Sequence, residues 1–183
     1  MQEAGLIAPL IGVPGDLGRL ARLAAIETSL GREPNPALRL AALAAGAEPE
    51  TLQSKLKLSA AETARLSQAN VRHAAFSPAS PEREAQGFIY RHGAEAFVDG
   101  ALMAWAGSGD SPADAARAQR VSLPERWQAP ELPVRGADVL ELGARPGPEV
   151  GRVISAFETW WIAQGFPADR ERARAKLGEL VRS

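Results

Sequence analysis

The chain is punctuated from one end to the other by residue pairs that start α-helices. Between them no segment of useful length alternates apolar and polar residues with period two. Asp16 precedes Leu17, Leu20, Leu23, Ala24 and Leu30, which fall near a 3.6-residue period. Asn35-Pro36 pairs a cap with a proline at the first helical position, and the helix that follows ends near Gly46. A short helix is predicted over Glu50 to Lys57. Ser59 and Glu62 form a capping-box pattern for the next, which runs to about Ala74. Ser80-Pro81 with Glu82 and Glu84 opens another. Gly93 divides it from Ala94–Ala106, whose inner face carries Phe97, Ala101, Leu102 and Trp105. Ser111-Pro112 is predicted to start a helix through about Arg120, and Gly147-Pro148 one through Gln164. Pro167 is predicted to open the last, through Val181.

Composition agrees with this pattern: 36 Ala and 20 Leu stand against 15 Val plus Ile and 4 Thr, whereas a large sheet needs β-branched residues. The expected fold is therefore all-α, a multi-helix bundle of nine or ten helices with a small C-terminal helix-turn-helix-like tail. Without cysteine the chain has no disulfide framework, thiolate metal site or Cys nucleophile. The 21 Lys plus Arg against 22 Asp plus Glu exclude a uniformly basic nucleic-acid binder but leave room for a local basic patch. No signal-peptide pattern or bilayer-length apolar run is present, so a soluble, cytoplasmic protein is expected.

Converging catalytic groups are missing. His73 and His92 both read as helix-end residues, and there is no HExxH, GxSxG, Walker or GxGxxG motif. Gly107-Ser108-Gly109-Asp110 resembles a phosphate-binding turn, but between a helix and Ser111-Pro112 it reads as a helix stop. No Asp-x-Asp pair is available to hold two metal ions. Neither a catalytic residue nor a metal ligand is assigned.

The densest information lies in residues 132–166. A short helix from Asp138 to Leu142 ends at Gly143, and a turn through Arg145 leads to Gly147, which caps a long helix beginning at Pro148. The glycines at 143, 147 and 151 allow close backbone approach. Amides at the start of the long helix form an anion site flanked by Arg135, Arg145 and Arg152. Two readings stay open here: a phosphate-binding corner, or a tight helix junction with solvated arginines and Glu149 answering the helix dipole. Arg170, Arg172, Arg174 and Lys176 line a terminal helix, as an RNA contact or as an ordinary solvated face broken by Asp169, Glu171 and Glu179. Asp138 reads as a helix-start residue. Val150, Ile154, Phe157 and Trp161 form a core stripe with Val153 and Trp160 at its shoulder. Trp105 reads as core, and Trp127 as a pin for the proline-rich stretch.

With Pro133, Gly136, Asp138, Val139, Leu142, Gly143, Gly147, Pro148 and Gly151, this stretch carries the pattern P-V-x-G-x-D-[LV]-x-x-L-G-x-x-x-G-P-x-x-G. It resembles the C-terminal region of bacterial CCA-adding tRNA nucleotidyltransferases, a family that includes bacterial poly(A) polymerases. Met1–Leu6 is similar to the close of that family's neck helices, and Arg91–Ala106 to a helical stretch of its shorter members.

The resemblance implies a helical body over residues 1–121 (1–12 closing a neck helix region), a proline-rich connector over 122–134 and a helical tail over 135–183. It further implies that these helices hold tRNA for an N-terminal catalytic head not present in this chain. Mg2+ and CTP or ATP would act in that head, leaving this chain inactive alone. Arg135, Arg145, Gly147, Arg152, Arg170 and Arg174 are the corresponding candidate RNA-binding residues. Two rivals remain: a structural or dimerisation role for the helices, and a protein-interaction module without RNA binding. Whether the parent adds C, A or CCA, and the oligomeric state, are not encoded here.

Overall fold

A computed structural model describes residues 7–182, and among them the protein is all-α. Eleven helices follow in order: α1 (Ile7–Ile11), α2 (Leu17–Ser29), α3 (Pro36–Leu43), α4 (Pro49–Leu56), α5 (Ala60–Ala69), α6 (Glu82–Ser108), α7 (Ala115–Val121), α8 (Leu123–Arg126), α9 (Gly136–Glu141), α10 (Pro148–Ala163) and α11 (Arg170–Arg182). A 3-10 turn, Ala74–Phe76, precedes α6. The chain divides into two compact units, one through Trp127 and one from Gln128. The neck-like stretch Met1–Leu6 lies outside the described residues.

Local chemistry sets most helix starts. Asp16 Oδ1 accepts the Arg19 amide at 2.7 Å, and Asn35 Oδ1 accepts those of Ala37 and Leu38 at 3.1 and 3.2 Å. At α5 the capping box is complete: the Glu62 amide donates to Ser59 Oγ at 3.2 Å, and the Ser59 amide to Glu62 Oε2 at 2.8 Å. Those hydrogen bonds from Ser59 hold the Glu62 carboxyl below its ordinary range.

Several expected boundaries move. α5 stops at Ala69, so His73 ends no helix; its Nδ1 instead accepts the Ala75 amide at 3.0 Å and caps the 3-10 turn. The expected break at Gly93 does hold: at φ 86° and ψ 163° it is non-helical, so α6 consists of two helical stretches joined across a kink there. Ser111-Pro112 starts nothing; Asp114 caps α7 through the Arg117 amide at 2.8 Å. Residues 123–126, expected to be extended, form α8, because Pro124 sits in its first turn, where proline is tolerated. Asp169, not Pro167, starts α11 by accepting the amides of Glu171 and Arg172 at 2.9 and 3.1 Å. The two short helices α1 and α8 account for the count above nine or ten.

In the first unit α6 is the axis: α2, α3, α5, α7, α8 and the 3-10 turn all pack on it. Phe76, Phe88 and Phe97 form an aromatic cluster, with the first two edge-to-face at 4.9 Å. Trp105 is fully buried, as expected of a core residue, and its Nε1 donates to the Ser111 carbonyl at 3.0 Å. Trp127 packs half-buried against the same core. Phe76 rests directly on Gly100, where an added Cβ would sit 2.2 Å from ring atom Cζ.

Two buried carboxylates tie helices together. Glu27, 2% exposed, accepts the Asn35 amide at 3.0 Å and Arg39 Nε at 2.9 Å, joining α2 to the start of α3. Asp99, 5% exposed, receives Arg65 Nε and Nη2 at 2.8 and 3.2 Å, joining α6 to α5. Burial raises the Asp99 pKa, and the Arg65 hydrogen bonds oppose that shift.

Gly100→Ala is expected to cost about 1–3 kcal/mol or more, because the Phe76 ring is enclosed and cannot withdraw; urea unfolding measures it. The Asp99 shift sets a pH dependence. With its folded pKa above the ordinary 3.8, the unfolded chain ionises first as pH rises. Stability therefore falls with rising pH between 3.8 and the raised folded value. Asp99→Asn is expected to remove that slope in unfolding curves taken across the acid range.

Candidate nucleic-acid interface

The second unit is a three-helix assembly in which α10 and α11 pack on each other and on α9. Its core is built from Val139, Val153, Phe157, Trp161, Ala173 and Leu177. The buried stripe of α10 follows 153, 157 and 161, while Val150, Ile154 and Trp160 are half-buried. Relative to the expected stripe the centre lies on Val153, because α10 is covered from two sides, by α9 and by α11.

The corner between α9 and α10 is built by backbone conformation. α9 ends with Gly143 at φ 96°, and the Ala144 amide donates to the Val139 carbonyl at 3.3 Å, bringing two buried side chains together across the stop. Gly147 adopts φ 117° as the N-cap of α10, and Pro148 follows at the first helical position. Close approach plays no part: a Cβ at Gly143, Gly147 or Gly151 would meet no atom within 4 Å. The first two glycines are explained by their positive φ. Gly151, exposed and helical, has no structural demand that the geometry reveals.

Four of the six candidate residues gather at this corner. Arg135, Arg145, Gly147 and Arg152 are all exposed. Arg135 precedes Gly136, whose Cβ position would be 3.5 Å from Val150 Cγ1 in the first turn of α10. Asp138 does serve as a helix-start residue, its Oδ2 accepting the Arg135 amide at 2.6 Å. Among the described residues no carboxylate lies in ion-pair range of Arg135 or Arg145.

Glu149 is the internal competitor. Its Oε2 accepts the Arg145 amide at 3.1 Å, and its Oε1 stands 3.8 Å from Arg152 Nη2. A carboxylate in the first turn is favoured by the positive end of the helix dipole, so an incoming anion at α10 displaces or shares this contact.

Arg170 and Arg174 lie elsewhere, one turn apart on α11. They line a cleft of about 330 Å3 shared with Asp138 and Glu141 of α9, and among the described residues no carboxylate lies in ion-pair range of either. Arg172 lies 5.5 Å from the centroid of the Trp160 ring and donates to Gln164 Oε1 at 2.6 Å, a cation–π contact with no local spacing signal. Trp160 thus has one face covered. Trp161 is core, with Nε1 donating to the Pro167 carbonyl at 3.0 Å.

In the first unit, Gly107–Asp110 is a helix stop: Gly109 takes φ 81°, the Asp110 amide donates to Ser108 Oγ at 3.2 Å, and Arg117 pairs with Asp110 at 2.7 Å. The described residues hold no group of three or more His, Asp or Glu able to bind a metal ion. No helix among them is long and apolar enough to cross a membrane.

Glu149→Gln is expected to lower the stability of the second unit by about 0.3–1 kcal/mol, through loss of its charge at the helix start, as read by thermal unfolding at low salt. No family model matches this chain, and no curated protein matches it with significance.

Proposed function

We propose that this chain is the RNA-holding helical portion, body and tail, of a CCA-adding tRNA nucleotidyltransferase, with nucleotide transfer carried out by a catalytic unit outside it. The glycine, proline and aspartate pattern of residues 133–151 supports the family. The observation that carries the binding role is the exposed corner at the amino end of α10. There Arg135 and Arg145 have no carboxylate partner among the described residues, and Arg152 has only a 3.8 Å contact. A-form RNA presents phosphates and 2′-hydroxyls rather than readable base edges, so exposed guanidinium groups beside the positive end of a helix dipole are suited to gripping it by shape and charge. Specificity for C or A addition has no residues here to act through.

A second reading rests on a different observation. Leu17, Leu20, Ala21, Ala24, Leu40 and Leu43 line an apolar groove of about 500 Å3 on α2 and α3, and Leu17 is 43% exposed. Such a groove suits a protein partner or a second copy.

Anisotropy titration of a labelled tRNA transcript separates the two. The RNA reading expects binding that weakens steeply with salt. Arg145→Glu combined with Arg152→Glu should lower affinity roughly ten-fold and flatten the salt dependence by about one to two charges. Glu149→Gln should raise affinity despite its cost in stability, since it removes the competing carboxylate. No measurable RNA affinity, with a concentration-dependent mass in sedimentation, would favour the second reading.

A further inference from the structure

The first turn of α2 and the last turns of α6 border a cleft of about 770 Å3, completed by the turn before α4, the end of α5 and residues 70–73 that follow it. Arg19 forms its floor. Its Nη2 donates to the Met103 carbonyl at 3.0 Å, its guanidinium packs over Gly107, and its Nε is buried without an acceptor. The next arginine on that face, Arg22, donates Nε to the Ala106 carbonyl at 2.7 Å. The negative end of α6 therefore answers part of this charge.

The remainder is unanswered. Burial holds the Arg19 pKa below its ordinary value; Asp16 opposes that shift, while Arg72 and Arg22 add to it. Arg72 is exposed and has no carboxylate in ion-pair range among the described residues. His73, beside it, accepts the Ala75 amide on Nδ1, which leaves Nε2 carrying the proton as a donor. Glu48 is the one carboxylate in the lining.

We propose that this cleft binds a sugar-linked phosphate, with Arg72 and His73 as the direct donors and the half-buried Arg19 as the positive charge behind them. The chemistry follows from the groups present. Guanidinium and imidazole N–H donors around a half-buried cation favour a doubly or singly charged oxyanion, and the guanidinium fork matches phosphate geometry. The volume lies within the roughly 300–1,000 Å3 of small-molecule pockets, room for a phosphate together with its sugar. Either a free nucleoside phosphate or a backbone phosphate of RNA meets that description. The site belongs wholly to the first unit and does not depend on the α9–α10 corner.

Two probes, AMP and a folded tRNA transcript, are titrated against the full chain while the His73 ring resonances are followed by NMR. At least one probe should shift those resonances. Arg72→Gln should weaken that probe roughly five-fold, and Glu48→Gln should strengthen it about two-fold. A response to AMP alone assigns a free phosphate ester. A response to the transcript that persists in the Arg145→Glu, Arg152→Glu chain assigns the RNA backbone. Unshifted His73 resonances with both probes, or affinities indifferent to Arg72→Gln in a chain with native circular dichroism, would overturn the site. The reading of the corner would be untouched by that result.

Discussion

The close approach of Phe76 to Gly100 organises the first unit. Because residue 100 has no side chain, the aromatic ring sits directly on the α6 backbone, and Phe88 and Phe97 close around it. Elsewhere the inner face of α6 intersperses small residues, Ala85, Gly87, Ala101 and Ala106, with large ones, Ile89, Leu102, Met103 and Trp105, all buried. An alanine-rich axis lets several helices pack close to it at once, which is how a chain short of large apolar residues still builds a dense core.

Charge is distributed by the same logic. Many of the 18 arginines are committed to internal acceptors: Arg39 to Glu27, Arg65 to Asp99, Arg117 to Asp110, and Arg120 to the carbonyls of Pro78 and Ser80. Arg126 bridges Glu82 and the Gln119 carbonyl. An arginine-rich composition is therefore no measure of affinity for nucleic acid. What counts is which exposed arginines are left without a carboxylate among the described residues, a set that includes Arg72 in the first unit and Arg135, Arg145, Arg170 and Arg174 in the second. At Arg72 and at the α9–α10 corner the uncommitted cation stands beside an element that sharpens its field: a half-buried guanidinium in one place, the amino end of α10 in the other.

The α9–α10 corner joins structure to the proposed role through one dihedral requirement. Gly147 at positive φ turns the chain so that α10 begins exposed, and Pro148 starts the helix without needing an amide partner. Glu149 then neutralises part of what that turn creates. Half-buried there, Glu149 is held by one hydrogen bond from the Arg145 amide and a long contact to Arg152.

The sequence by itself determined the helical class and most helix starts, since caps at Asp16, Asn35 and Ser59 act through bonds to residues two or three positions away. The α9–α10 corner was legible for the same reason, its glycines and proline being local dihedral demands. Tertiary structure alone decided which charges are spoken for. Arg19 and Arg72 lie 53 positions apart in the chain, and Arg65 and Asp99 34, so no spacing rule joins them. It also decided that α5 stops at Ala69, where the chain must leave the helix for Phe76 to reach Gly100. Contacts between distant segments depend on how helices pack, and packing depends on every side chain at the interface together.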